Sequence, residues 1–324
     1  MRRADPWRGC PSSSTLLIRK RPCHTVLVFS DDDIRTAVQS IRTWARDDQR
    51  APHKPLLLLL ALARVQRDEA RLVLFTEIEE PLRRLLMEFG PSRDSYRPGY
   101  PFWRLHRDGL WEVFDATGPV VREGDSDLSS IELRRVSGGF PSHIDAELRA
   151  NPDLVRELGH EILDAHFPES LHENILAAVD LDLEPPGVRS AGRHRDRSFR
   201  DLVLRAYGYQ CAVCGLDARL DGVSLGLEAA HVHWHSSRGP DEVANGLCLC
   251  PLHHKALDLG LIGLGERRAL VVSSRLHGGD AVEAQLGRFH GRALVGPLHG
   301  QPPIAEERAA WHRREVFKGP ARVA

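Results

Sequence analysis

The alternation of apolar and polar positions divides the chain into segments of distinct character. Residues 1–28, with Ser12-Ser13-Ser14, several prolines and a basic run, have no apolar period and suit an unordered tail. Ser30 reads as an N-cap ahead of Asp31-Asp32-Asp33. Ile34, Val38, Ile41 and Ala45 then recur at helical spacing, with Trp44 beside them. Pro52-His53-Lys54-Pro55 breaks this pattern, and Pro55 suits the first turn of the next helix. Leu56 to Val65 is apolar on every side until Arg64, which predicts a helix buried in the centre of a domain. Leu72 to Phe75 predicts a short strand. Thr76 is the expected cap of a helix reaching Phe89, with Leu82, Leu85, Leu86 and Phe89 on one face. Tyr96 to Leu105 and Leu110 to Val113 flank a turn at Arg107-Asp108-Gly109 and predict a hairpin. Residues 143–166 predict one or two helices broken at Asn151-Pro152.

Residues 184–195, with Pro185-Pro186-Gly187 and several basic residues, have linker composition. They divide the chain into a tail (1–28), a first domain (29–185) and a second (186–324). The second opens with a helix at 198–207. It continues with a strand at Ser224 to Val232, a helix at His254 to Leu259, a strand pair at Leu261 to Ser273 and a last segment from Trp311 to Phe317. The fold class is α+β, mainly helical in the first domain with a small hairpin.

Composition narrows the function classes. With 42% apolar and 27% charged residues among 324, the chain is an ordinary globular protein. Lys+Arg number 44 against 45 Asp+Glu, so a uniformly basic nucleic-acid coat is excluded while local basic patches are not. The longest apolar run, Leu56 to Ala63, is eight residues, far short of the ~20 needed to span a bilayer. Arg2 and Arg3 precede no apolar signal region, because Leu16-Leu17-Ile18 is cut off by Arg19-Lys20-Arg21-Pro22. The expectation is a cytoplasmic protein without a membrane partner. The oligomeric state stays open, with a homodimer among the options.

The chemistry concentrates in the second domain. Cys211-Ala-Val-Cys214 and Cys250-Pro-Leu-His253 are two pairs at two-residue spacing, the pattern of a tetrahedral zinc site. Three sulfurs and one imidazole leave no vacancy for water, so such a zinc would be structural. Cys248 is an off-register alternative to Cys250, which alone makes the pair with His253. Between and after these residues come Glu228-Ala-Ala-His231, Asn245-Gly-Leu and His254-Lys-Ala-Leu-Asp258. Phosphodiester hydrolysis needs an activated water and neutralised phosphate charge. An imidazole titrating near neutral pH supplies the first, a divalent cation the second.

The His231…Asn245…His254 order, braced by the two zinc pairs, resembles the HNH nuclease motif. That resemblance implies a ββα-metal unit in which His231 is the general base, Asn245 orients its ring through a hydrogen bond, and His254 is a ligand of the catalytic metal, Mg2+ or Mn2+ or similar. Many HNH nucleases place Asp or His just before the base as a second metal ligand; Ala230 stands there instead. Glu228 or Asp258 could supply the missing ligand. His233 and His235 read as solvated loop histidines. Six arginines between 189 and 205, against Asp196 and Asp201, suit phosphate contacts or a solvated linker.

In the first domain His53-Lys54 sit just before the buried helix. Arg93, Arg97, Arg104 and Arg107 are interleaved with Tyr96, Tyr100, Phe102 and Trp103, as on a nucleic-acid surface. Residues 31 to about 165, with His53-Lys54-Pro55-Leu-Leu and Tyr100-Pro101-Phe102, resemble the sulfur-binding domain of phosphorothioate-dependent restriction endonucleases, which join it to an HNH nuclease. The resemblance implies binding of phosphorothioate-modified double-stranded DNA. It places His53 and Lys54 against the modified backbone and base edges, and Tyr100 and Pro101 as the wall of an apolar cavity for sulfur. Arg97 and Arg104 are further DNA contacts on the same reading, and Phe102 and Trp103 are packing residues. The rivals are an HNH restriction nuclease reading another modification, such as a methylated base, and a DNA-binding protein whose HNH fold has lost activity.

Overall fold

The computed structural model describes residues 30–41, 50–122, 126–184, 197–221 and 223–323. The expected tail, Trp44, Ala45, Pro185-Pro186-Gly187 and Arg189, Arg193 and Arg195 lie outside the described residues. Ser30 caps α1 (Asp31–Gln39): its hydroxyl accepts from the Asp33 backbone N–H while the Asp33 carboxylate accepts from its own. Helix α2 (His53–Gln66) carries Pro55 in its first turn, where the missing N–H breaks no helical bond.

Strand β1 (Val73–Leu74), α3 (Phe75–Phe89), α4 (Gly99–Arg104), β2 (Glu112–Asp115), β3 (Gly118–Pro119), α5 (Ser130–Leu133), β4 (Ser137–Gly139), α6 (Ser142–Ala150), α7 (Pro152–His166) and α8 (Glu169–Val179) follow. Helices α3, α4, α6, α7 and α8 all pack on α2, which is why Leu56 to Ala63 is buried all round. The strands form an antiparallel sheet in the order β1-β4-β2-β3. Asn151 caps α7 after the break at Pro152, so 143–166 is two helices.

Two local expectations fail. Tyr100 to Arg104 is helix α4, not the first limb of a hairpin; β2 pairs instead with β3 and β4. Phe102 is wholly buried between Phe75 and Trp111, with centroids at 5.1 and 5.6 Å, so a segment enclosed on several sides shows no strand-like alternation of burial. Helix α3 starts at Phe75, before Thr76, with no side-chain cap. The buried Phe75 ring fixes the start by packing.

The second half contains α9 (Arg197–Ala206), the short hairpin β5 (Arg219–Leu220) and β6 (Val223–Ser224), then β7 (Glu228–His231), β8 (Gly246–Leu249) and α10 (Pro251–Asp258). The strand pair β9 (Ile262–Leu264) and β10 (Leu270–Val272), α11 (Asp280–Gln285) and α12 (Glu306–Glu315) complete it. Strands β7 and β8 pair antiparallel with His231 opposite Gly246, and α10 follows, giving a ββα unit. Helix α9 lies across this pair. A Cβ on Gly246 would stand 2.3 Å from Val203 Cγ2, so only glycine admits that approach.

The two halves meet in a shared buried region. Trp234, Trp311 and Val316 join the core formed by the first half. Arg50 lies 3.7 Å over the Trp234 ring and donates to the carbonyls of Phe89 (2.6 Å) and Glu315 (3.0 Å). Lys318 donates to the carbonyls of Met87 and Gly90. Among the described residues no helix is long and apolar enough to cross a membrane.

Candidate functional site

The knuckle Cys211–Cys214 is tied to β8 by the Ala212 N–H, which donates to the Cys248 carbonyl at 2.7 Å. Cys250 precedes α10 and His253 lies in its first turn. Cys211, Cys214, Cys250 and His253 bring one ligand atom each within 4.8 Å of one another. The Nδ1 atom of His253 is 3.0 Å from Cys250 Sγ and 3.7 Å from Cys211 Sγ. Its Nε2 donates to the Gln285 carbonyl at 2.9 Å, which leaves the lone pair of Nδ1 facing the sulfurs, as a metal ligand requires. The Cys250 thiol donates towards Cys211 and holds its pKa down. Three sulfurs and one such nitrogen fit a zinc ion. Cys248 is buried with its pKa pushed up to about 12 by burial, then by Cys211, and stays outside the cluster.

The HNH residues converge on the strand pair and the helix after it. Nε2 of His231 lies 2.7 Å from Asp241 Oδ1, and its ring stacks on Phe199 of α9 at 3.9 Å and 15°. A carboxylate only accepts, so Nε2 carries the proton and Nδ1 is the basic nitrogen. Asn245 does not orient this ring. Its Oδ1 accepts from the His233 backbone N–H at 2.8 Å, and its Nδ2 donates to the carbonyls of His233 and Pro240, both at 2.9 Å. Fully buried, it instead fixes the loop that carries His231 and Asp241. His233 is not solvated either: it is buried and stacks on Trp311 at 4.1 Å, while His235 is exposed as expected.

His254 sits in α10 between two carboxylates. Its Nδ1 is 2.7 Å from Glu228 Oε2 of β7, and its Nε2 is 3.1 Å from Asp258 Oδ2, one turn further along α10. Burial opposes its charge, but Asp258 and Glu228 outweigh burial and raise its pKa to about 9 in the metal-free protein. The hydrogen bond from His254 lowers the pKa of Glu228. Burial works to raise that of Asp258, yet His254 and Ser170 bring it below the ordinary value. Glu228 is half exposed and Asp258 is buried, so Glu228 faces outward beside Nδ1 while Asp258 holds the ring from within. Ala230 packs in the core and presents no ligand.

In the first half, His53 and Tyr100 meet edge to face at 6.2 Å, and the Arg104 guanidinium lies 5.6 Å from the Tyr100 ring centre. Burial, helped by Arg93, pushes His53 down to about 4, so it is neutral at pH 7. Pro101 is buried, which does not suit the expected cavity wall open to DNA, and Arg97 is exposed. Lys54 departs from its expected role. It is buried, with Nζ 2.6 Å from Asp108 Oδ2, so its ammonium serves this pair inside the protein.

Residues 31–184 match the family model of the ScoMcrA-like DNA sulfur-binding domain, and residues 211–265 match that of HNH endonucleases. The chain joins a sulfur-binding domain to an HNH endonuclease. Among solved structures, the sulfur-binding domain of ScoMcrA complexed with phosphorothioated DNA is 22% identical, with 45% of this chain and 96% of that one covered and a TM-score of 0.39. The corresponding SprMcrA complex is 23% identical, covering 47% and 94%, with a TM-score of 0.40. The Type IV phosphorothioation-dependent restriction endonuclease ScoMcrA is 22% identical with a TM-score of 0.35. It is matched over 45% of this chain and only 32% of its own length. No curated protein matches.

The HNH endonuclease thus brings together His231, His254, Glu228 and Asp258 on its ββα unit, and four ligands at the zinc knuckle. The sulfur-binding domain brings together His53, Tyr100 and Arg104, the last ion-paired to Asp127 at 2.5 Å; Pro101 is buried next to Tyr100 in α4, and Lys54 is not a surface cation. Sequence reasoning missed Asp241 and Phe199. The signal for Asp241 was an acid in the Gly239-Pro240-Asp241 turn inside the motif; Phe199 carried none.

Proposed function

We propose that this protein is a restriction endonuclease that recognises phosphorothioated double-stranded DNA through residues 29–185 and hydrolyses nearby phosphodiester bonds through residues 186–324. The occurrence of both family models in one chain carries the reading. On this reading the protein acts in the cytoplasm, on incoming DNA.

Recognition turns on one atom. Sulfur is larger and softer than oxygen and tolerates apolar contact, whereas an ordinary phosphate oxygen loses hydration there without return. A neutral His53 beside Tyr100 offers such a contact, with the exposed Arg97 supplying charge for the flanking phosphates and Arg104 doing so where it exchanges its Asp127 partner for DNA.

In cleavage, His231 takes a proton from the attacking water at Nδ1 while Asp241 holds Nε2–H and Phe199 holds the ring plane. Asn245 keeps the loop in place. His254 and Glu228 would hold a divalent ion such as Mg2+ or Mn2+, with Asp258 fixing the imidazole from behind. When bound, that ion supplies Lewis-acid neutralisation of phosphate charge. A zinc at Cys211, Cys214, Cys250 and His253 is closed and structural.

Side-by-side digestion of phosphorothioated and unmodified plasmid with Mg2+ or Mn2+ tests the reading. The modified plasmid should be cut preferentially, by roughly 5- to 150-fold, the worth of about 1–3 kcal/mol at one atom. The exchange of oxygen for sulfur adds no charge, so counterion release does not produce this preference. Tyr100→Ala should erase it. Equal cutting of both plasmids removes the sulfur reading, and no cutting of either removes the nuclease reading.

A further inference from the structure

The buried carboxylate of Asp258 is served from two sides. Nε2 of His254 approaches its Oδ2 from within α10, and Ser170 Oγ donates a hydrogen bond to the same oxygen. Ser170 belongs to the sulfur-binding domain. It lies in the first turn of α8, two residues after Pro168, and α8 packs on α10. The two sequence positions are 88 residues apart.

We propose that Ser170 is a positioning residue of the nuclease centre: the recognition domain completes that centre by fixing Asp258, and through it the imidazole of His254. The proposal rests on the nuclease reading given above. A carboxylate that is 1% exposed needs its lone pairs engaged, and its rotamer follows the donors that reach it. The Ser170 hydroxyl holds Oδ2 where it can accept from Nε2–H. That fixes the ring so that Nδ1, which faces Glu228, is the nitrogen that would take the metal in exchange for its proton. The two halves are also held together elsewhere. Arg50 spans Trp234, Glu315 and Phe89, and Lys318 reaches the carbonyls that end α3. Docking of the two domains and alignment of His254 are therefore one arrangement, and a nuclease domain away from its recognition domain loses a support of its own metal site.

The test uses the full chain, with Ser170→Ala and Ser170→Thr. Three quantities are read: Mn2+ binding without DNA by electron paramagnetic resonance, single-turnover cleavage of a phosphorothioated duplex across a Mn2+ titration, and affinity for that duplex in the absence of divalent metal. Ser170→Ala should weaken Mn2+ binding and raise the half-saturating Mn2+ for cleavage by roughly 3- to 10-fold, the worth of one hydrogen bond. Duplex affinity should stay within about twofold of wild type, because the recognition face is untouched. Ser170→Thr keeps the hydroxyl and should restore both metal readouts. An unchanged Mn2+ dependence in Ser170→Ala, or Ser170→Thr as impaired as Ser170→Ala, overturns the proposal. Wild-type protein that shows no metal-dependent cleavage defeats the nuclease reading itself, and the proposal with it.

Discussion

His231 donates from Nε2 to Oδ1 of Asp241, ten residues further along the chain, at 2.7 Å. This pair sets the tautomer of the base and aims its other nitrogen. Asp241→Ala should therefore slow single-turnover cleavage by roughly 10- to 100-fold, and His231→Ala by at least as much. Binding to phosphorothioated duplex should stay near wild type in both, since the contacts lie in the other domain. Wild-type cleavage by Asp241→Ala would leave the orientation of His231 to Phe199 alone.

The zinc knuckle carries a stability prediction. Purified protein should hold about one tightly bound zinc per chain by elemental analysis. Cys211→Ser or Cys250→Ser should lose it and unfold the second half, because a structural metal contributes folding free energy directly. A zinc-free preparation with an intact, active second half sinks the assignment.

Lys54 is expected to act on stability more than on DNA. Lys54→Ala removes the ammonium 2.6 Å from the buried Asp108 carboxylate, which should cost about 3 kcal/mol. An earlier urea transition would show it. Lys54→Met with Asp108→Leu should recover most of the loss, since apolar replacement of both partners avoids burying a charge. If Lys54→Ala instead keeps wild-type stability and loses duplex affinity, the lysine is a phosphate contact after all.

Acid should weaken the fold well before its carboxylates titrate. Burial lowers His53, His166 and His312 each to about 4, against 6.5 in an unfolded chain. Between pH 6.5 and 4 the unfolded chain binds protons that the folded chain refuses. Stability is thus fully present above 6.5 and falls as pH drops through that window. Urea midpoints at pH 7, 5.5 and 4.5 should decline in that order. His166→Gln should flatten the decline; a variant with the wild-type slope would count against the burial argument.

Spacing alone determined the parts of this protein whose geometry is local. Two residues between ligands fix a metal knuckle on a short turn, so Cys211, Cys214, Cys250 and His253 were legible before any fold was known. The cap at Ser30, the break at Pro152 and the enclosed Leu56–Ala63 helix followed from residue chemistry in the same way. The order His231, Asn245, His254 named the motif, but it did not say what each side chain touches. Asn245 bonds backbone rather than the His231 ring, and Asp241 takes the role expected of it. Glu228 and Asp258 take opposite sides of His254, and Lys54 turns inward to Asp108. Ser170 reaches Asp258 across 88 residues. Tyr100 to Arg104 reads as strand by its aromatics yet folds as a helix, because burial on several sides erases periodicity. Partners of buried polar groups are chosen by how the elements pack, and only the folded chain brings distant residues within hydrogen-bonding reach.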